Sequence, residues 1–182
     1  MNILGNIVLL TGGSAGIGRA TAEYLMKQGY TVYAASRRGC ENIEDPFSGG
    51  RIIGICADVT DKRSLDNAVS RIIEEQGELS AVICNAGNGI AGAIEDTSLE
   101  EARYQMETNF FGVFNTVQTC LPTFRDQKHG KIVAISSVAA VAPIPFQGFY
   151  SASKSAIMLL MQSLSMEMKP YNVHCTCVLP GD

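Results

Sequence analysis

Ser136 and Ser137 follow an apolar run, and thirteen residues after Ser137 comes Tyr150-Ser151-Ala152-Ser153-Lys154. Tyr150 and Lys154 stand four apart, so a helix makes them neighbours on one face. A free phenol ionises near pH ~10 and exchanges a proton near neutrality only with help from adjacent positive charge, which Lys154 can supply. A strand-end serine hydroxyl can hold an oxygen on which negative charge develops. The three groups together suit reduction of a carbonyl or oxidation of an alcohol, in which oxygen gains or loses a proton while hydride moves. Tyrosine and lysine at this spacing are ordinary on helices, so the set is coherent only if the chain also holds a hydride carrier.

A loop suited to that task is Thr11-Gly12-Gly13-Ser14-Ala15-Gly16-Ile17-Gly18, which follows a first strand and opens a helix expected over Arg19 to Gln28. Glycines let the backbone approach a pyrophosphate, and unpaired amides at a helix start favour its charge. Gly12, Ser14, Gly16, Ile17 and Gly18 are the candidate contacts. A tight turn using glycine for conformation alone is the competing reading, and the place directly after a strand favours the dinucleotide. NAD sites usually carry a carboxylate roughly 20 residues past the glycines. Here Ser36-Arg37-Arg38 stands there instead. Arg37 and Arg38 can pair with a 2′-phosphate, which points to NADP(H) over NAD(H); the alternative is a solvated, charged loop. Asp58, followed by Val59, can meet the adenine amino group or cap the next helix. Asn85-Ala86-Gly87 supplies a small, backbone-exposing turn at the same sheet edge, or simply a structural turn.

These residues need a scaffold that brings them to one edge. Strand-length apolar runs recur at Asn6 to Leu10, Thr31 to Ala35, Arg51 to Cys56, Ala81 to Cys84, Lys131 to Ile135 and Val173 to Leu179. Helical segments lie between most of them, and Gly29 and Gly77 suit the left-handed position that ends a helix. Ser98 and Glu101 form a capping box opening a long helix through Asn109 toward Pro122. Its expected buried stripe is Leu99, Met106, Phe110, Val113, Phe114 and Val117. Asp45 to Gly50 reads as a turn. The alternation predicts an α/β fold: one doubly wound parallel sheet in three α/β/α layers, with ligands at the carboxyl ends of its strands.

Length and composition agree with a single domain over residues 1–182. The chain has 46% hydrophobic and 18% charged residues, the balance of a globular protein. A net charge of −4 with dispersed basic residues does not fit a nucleic-acid partner. No apolar run approaches the ~18 residues of a membrane span. Six cysteines mostly sit in apolar, strand-like segments, which fits core packing in a reducing compartment and a cytoplasmic location. Cys175 and Cys177 share a strand face at a spacing too close for a metal knuckle, so no metal is expected. His129 and His174 lack a supporting constellation. The apolar run Val138 to Phe149 can floor a pocket for a steroid, retinoid or fatty carbonyl, or only pack a loop.

The Thr-Gly-x-x-x-Gly-x-Gly loop, Asn-Ala-Gly, the strand-end serine, Tyr-x-x-x-Lys and Pro180-Gly181 together resemble the short-chain dehydrogenase/reductase family across essentially the whole chain. The resemblance implies a Rossmann fold with six strands in order 3-2-1-4-5-6, Tyr150 as acid/base, Lys154 on the cofactor ribose and Ser137 on the substrate oxygen. It implies that Asn109 completes a catalytic tetrad, that Pro180-Gly181 lies beside the nicotinamide, and that the protein is a homodimer or homotetramer. Read from the residues alone, Asn109 is only an unusual polar residue in an apolar helix. Members of the family normally continue past the Pro-Gly turn into a substrate-covering segment and a final strand, and the chain is expected to be cut short of these at Asp182. An enzyme moving hydride between NADP(H) and a carbonyl or alcohol is the leading expectation. A dinucleotide-binding interaction protein without turnover is the alternative.

Overall fold

A computed structural model describes residues 5–181. Its elements are β1 (Ile7–Thr11), α1 (Gly16–Lys27), β2 (Thr31–Ser36), β3 (Ile43–Glu44), β4 (Arg51–Cys56), α2 (Lys62–Gln76), β5 (Ala81–Cys84), α3 (Leu99–Met106), α4 (Gly112–Gln127), β6 (Gly130–Ile135), α5 (Gly148–Met168) and β7 (Val173–Val178). A π-helical turn, Glu107–Phe111, joins α3 to α4. The sheet runs β3-β4-β2-β1-β5-β6-β7. It has seven strands and not six, because Ile43 and Glu44 pair antiparallel with Ile52 and Arg51. That strand is two residues long, formed where the expected turn from Asp45 to Gly50 folds the chain back on β4 through Asp45 N–H and the Gly50 carbonyl. The six longer strands are parallel and follow the expected order.

Alternation along β1 and β2 separates two cores. Leu10, Val32, Ala34 and Ile52 pack beneath Ala22 and Met26 of α1. Leu9, Tyr33, Ile55, Val82 and Ile132 face the other way, against Leu65 and Ile72 of α2, Val117 and Phe124 of α4, and Ile157 and Met161 of α5. Successive side chains of a strand point to opposite faces, so a sheet buried on both sides needs continuous apolar runs.

Two expectations about helices need correction. α1 begins at Gly16, three residues before Arg19, because the glycines themselves form its first turn over an extended Ala15. The helix capped by Ser98 and Glu101 does form, but its stripe differs: Leu99 and Phe114 are exposed, while Val113 and Val117 are buried as expected. The buried line runs instead through Ala102, Gln105, Asn109, Val113, Val117, Cys120 and Phe124. A π turn shifts the phase of the side chains that follow it, and such turns cluster at functional sites; this one carries Asn109. Cys120 is a buried helix residue and not part of a strand.

Candidate active site

β1 ends in Thr11, whose buried hydroxyl accepts the amides of Asn85 (3.1 Å) and Ala86 (3.2 Å). The Asn85 amide in turn donates to the carbonyls of Thr11 (3.1 Å) and Gly12 (3.2 Å). The Asn-Ala-Gly turn is thereby stapled to the glycine loop, a reciprocal arrangement that explains the asparagine. Gly12 has φ +70°, and a Cβ there would lie 2.8 Å from the Asn85 nitrogen. A Cβ on Gly18 would come within 2.2 Å of the Gly12 carbonyl oxygen. Gly18→Ala should therefore cost about 3 kcal/mol of stability by overpacking, read as a lower urea midpoint; an unchanged midpoint would show that the loop tolerates the methyl group.

Above this floor lies a crevice of about 590 Å³. Gly12, Ser14, Gly16, Ile17 and Gly18 form one wall, Arg37 and Arg38 the far end, Asp58 and Val59 a side, and Asn85, Ala86 and Gly87 the other end. Ala15 sits at the α1 N-cap with no side-chain acceptor, so no side chain caps the first-turn amides. A Cβ on Gly16 would meet nothing within 4 Å. An uncapped helix start opening on free space suits a diphosphate, and guanidinium groups suit a further phosphate. Among the described residues neither Arg37 nor Arg38 belongs to an ion pair. Asp58 accepts from the amide and hydroxyl of Thr60 at 2.9 and 2.8 Å. It does not cap the next helix; Asp61 does, accepting the Arg63 amide.

The second crevice, about 600 Å³, is lined by Ser137, Tyr150, Lys154, Pro180 and Gly181, and it shares Asn85, Gly87 and Asn88 with the first. β6 ends at Ile135, so Ser136 and Ser137 stand just beyond the sheet. Ser137 starts a 3-10 turn and accepts the Ala139 amide at 3.1 Å. The Pro180 carbonyl accepts the Val138 amide at 3.0 Å, which holds Pro180-Gly181 beside Ser137. Tyr150 and Lys154 share one face of α5, with the lysine Nζ 5.6 Å from the centre of the tyrosine ring. Lys154 is buried, and its ammonium donates to the Ile135 carbonyl at 2.9 Å. Burial lowers its pKa to about 8, with nearby Cys177 acting weakly in the opposite sense. Such a lysine is charged at neutrality yet gives up its proton easily. Its own carbonyl accepts the Ser136 hydroxyl at 2.8 Å, fixing this turn of α5 to the strand end.

Asn109 does not line either crevice. It lies behind the shared wall, its Oδ1 accepting the Asn88 amide (2.9 Å) and its Nδ2 donating to the Asn88 carbonyl (2.9 Å) and to the Ser153 hydroxyl (3.1 Å). Sequence reasoning missed Asn88, Gln105 and Ser153. A spacing of four between Gln105 and Asn109, in a helix otherwise apolar on that side, was the available signal. Of the apolar run after Ser137, Val138, Val141, Ile144 and Phe146 are all exposed, and of these Val138 and Ile144 line the second crevice.

A family model described as short chain dehydrogenase matches residues 6–182. The chain is 45% identical over 176 residues to 3-ketodihydrosphingosine reductase of Bacteroides thetaiotaomicron, covering 97% of this chain and 63% of that protein. It is 34% identical over 200 residues to cyclohexanol dehydrogenase of a Rhodococcus species, covering 97% and 74%. The solved 3-ketoacyl-ACP reductase of Sinorhizobium meliloti superimposes with a TM-score of 0.86 at 30% identity, covering 96% and 71%. The chain thus spans a little under two thirds of the Bacteroides reductase's length.

Proposed function

The chain belongs to the short-chain dehydrogenase family, and on that premise we propose that it passes hydride between NADP(H) and a carbonyl or secondary alcohol, with Tyr150 as acid/base. What carries the reading is the continuity of the two crevices: the wall formed by Asn85, Gly87 and Asn88 belongs to both. A dinucleotide laid from Arg37 along the glycine loop would end beside Tyr150. Its nicotinamide would supply the hydride. Ser137 Oγ holds the substrate oxygen, Tyr150 gives that oxygen its proton, and Lys154 keeps positive charge near the phenol as the proton leaves. The Lys154 ammonium, which would also hold the nicotinamide ribose, then returns a proton toward Tyr150. In the opposite direction the same groups take the alcohol proton.

The arginines support NADP(H). Arg37→Asp removes a guanidinium and places a carboxylate where a 2′-phosphate would sit, so NADPH affinity should fall about 10- to 100-fold while NADH affinity holds or rises. Parallel fluorescence titrations of the two cofactors check this, and equal, unchanged affinities would remove the phosphate role.

Val138 and Ile144 beside Tyr150 favour a ketone bearing an apolar chain, in keeping with the name of the Bacteroides relative. NADPH oxidation with 3-ketodihydrosphingosine should exceed that with cyclohexanone; the reverse order would overturn the chain preference. A cytoplasmic homo-oligomer completes the reading. Leu99, Tyr104, Phe111 and Phe114 expose apolar surface along α3, the π turn and α4, which a second copy would cover. Among the described residues no helix is long and apolar enough to cross a membrane.

A further inference from the structure

Gln105 of α3 is wholly buried, at 0% exposure. Its hydrogen bonds all go to one short stretch of chain. Oε1 accepts the Ile90 amide at 2.7 Å, and Nε2 donates to the Asn88 carbonyl at 2.7 Å and to Asn88 Oδ1 at 2.8 Å. One turn later Asn109 grips the same residue through its amide and carbonyl. Residues 85–90 belong to no strand or helix after β5, so side chains do here what a ladder of backbone bonds does elsewhere.

The held segment faces the chemistry. A Cβ on Gly89 would lie 3.7 Å from Cδ2 of Tyr150, and one on Gly87 would lie 3.6 Å from Nζ of Lys154. Asn88 lines both crevices. We propose that Gln105 is a positioning residue, which fixes the wall of residues 87–90 at the distance from Tyr150 that nicotinamide and substrate need in order to meet. The proposal rests on the hydride-transfer reading above. Reacting atoms must be held within about 3–3.5 Å, and a misplacement of about 1 Å can cost on the order of 100-fold in rate. Both faces of the Gln105 amide are needed for this, since one bonds Ile90 and the other Asn88.

A second glutamine provides an internal control. Gln127, at the end of α4, clasps Leu79 in the same manner, its Oε1 accepting the Leu79 amide at 3.0 Å and its Nε2 donating to the Leu79 carbonyl at 2.8 Å. It lies at the opposite end of β5 and lines neither crevice. Replacing each glutamine by Met removes three hydrogen bonds, but only those of Gln105 stand behind the site.

The test uses the intact protein with NADPH and 3-ketodihydrosphingosine, comparing wild type with Gln105→Met, Gln105→Glu and Gln127→Met. Gln105→Met should lower kcat by about 10- to 100-fold, leave KM within about threefold, and raise the primary isotope effect measured with 4-deuterated NADPH. Gln127→Met should lower Tm and leave kcat and the isotope effect as in wild type. Gln105→Glu keeps the shape and the acceptor for the Ile90 amide but points its other carboxylate oxygen at two oxygens of Asn88, so its kcat should recover as pH falls and the carboxyl regains a donor proton. Should the Met variant not fold, this pH profile supplies the readout. The proposal is overturned if Gln105→Met loses Tm but keeps kcat and isotope effect, or if Gln105→Glu follows the wild-type pH profile. Absence of turnover in the wild type would instead sink the hydride-transfer reading, and the proposal with it.

Discussion

Tyr150→Phe should lower turnover by about 10²- to 10⁴-fold, the range expected when a general acid is removed, with NADPH affinity nearly intact. The phenyl ring keeps its place on α5 and its packing against the Gly89 wall. Only the hydroxyl goes, and among the described residues no carboxylate and no other phenol lines the second crevice. Ser137 cannot substitute, because an aliphatic hydroxyl is far less acidic than a phenol and its proton is the donor that holds the substrate oxygen. The comparison is turnover under saturating NADPH together with a binding titration. Retention of more than a tenth of wild-type turnover would remove Tyr150 from the proton path, and binding without turnover in the wild type itself would favour a non-catalytic dinucleotide protein.

Lys154→Met should act in opposite directions on function and stability. Turnover should fall by about 100-fold or more, since the charge that supports the phenol and returns its proton is lost. Stability at neutral pH should rise. The folded lysine has a pKa of about 8 against an ordinary 10.5, with burial as the main cause. Below pH 8 both folded and unfolded chains carry the ammonium, and the fold bears its full desolvation cost, about 3 kcal/mol for a displacement of that size. Between pH 8 and 10.5 the folded protein releases a proton that the unfolded chain keeps, so stability rises with pH and the cost fades. Methionine removes that cost but strips the Ile135 carbonyl of its donor, a loss of about 1–2 kcal/mol. The variant should therefore gain about 1–2 kcal/mol at pH 7, and its advantage should shrink as pH climbs through this window. Urea melts at pH 7 and 10 measure both; a variant less stable than wild type at pH 7 would refute burial of a charge at this position.

The parallel sheet was legible because β1, β2 and β5 are largely apolar along their length, a pattern that burial on both faces requires. Of the candidate site, the grouping was legible: every expected cofactor contact and the Ser137, Tyr150, Lys154 set line one or other of two joined crevices. Hidden were features set by tertiary fit. β3 exists only because a turn returns two residues to β4. The exposure of Phe114 follows a π turn at which the helical period changes, which no fixed-period reading can anticipate, and Leu99 stands exposed in the first turn of α3. Gln105 reads in sequence as an ordinary helix former, and only its complete burial shows that its amide must be spoken for. Asn109 was found through family resemblance, and its place behind the wall explains the asparagine without any contact with substrate.

β1 lies at the centre of the sheet, pairing with β2 on one side and β5 on the other. During synthesis the ribosome releases β1, β2 and β4 early, and these can zip together in sequence, but the other edge of β1 must wait until Ala81 to Cys84 emerge. Until then this wholly buried strand shows open amides and carbonyls to its neighbours on the polysome. Its nascent chain should thus be most in need of a chaperone in the interval between those two arrivals, and slow codons there would lengthen the exposure.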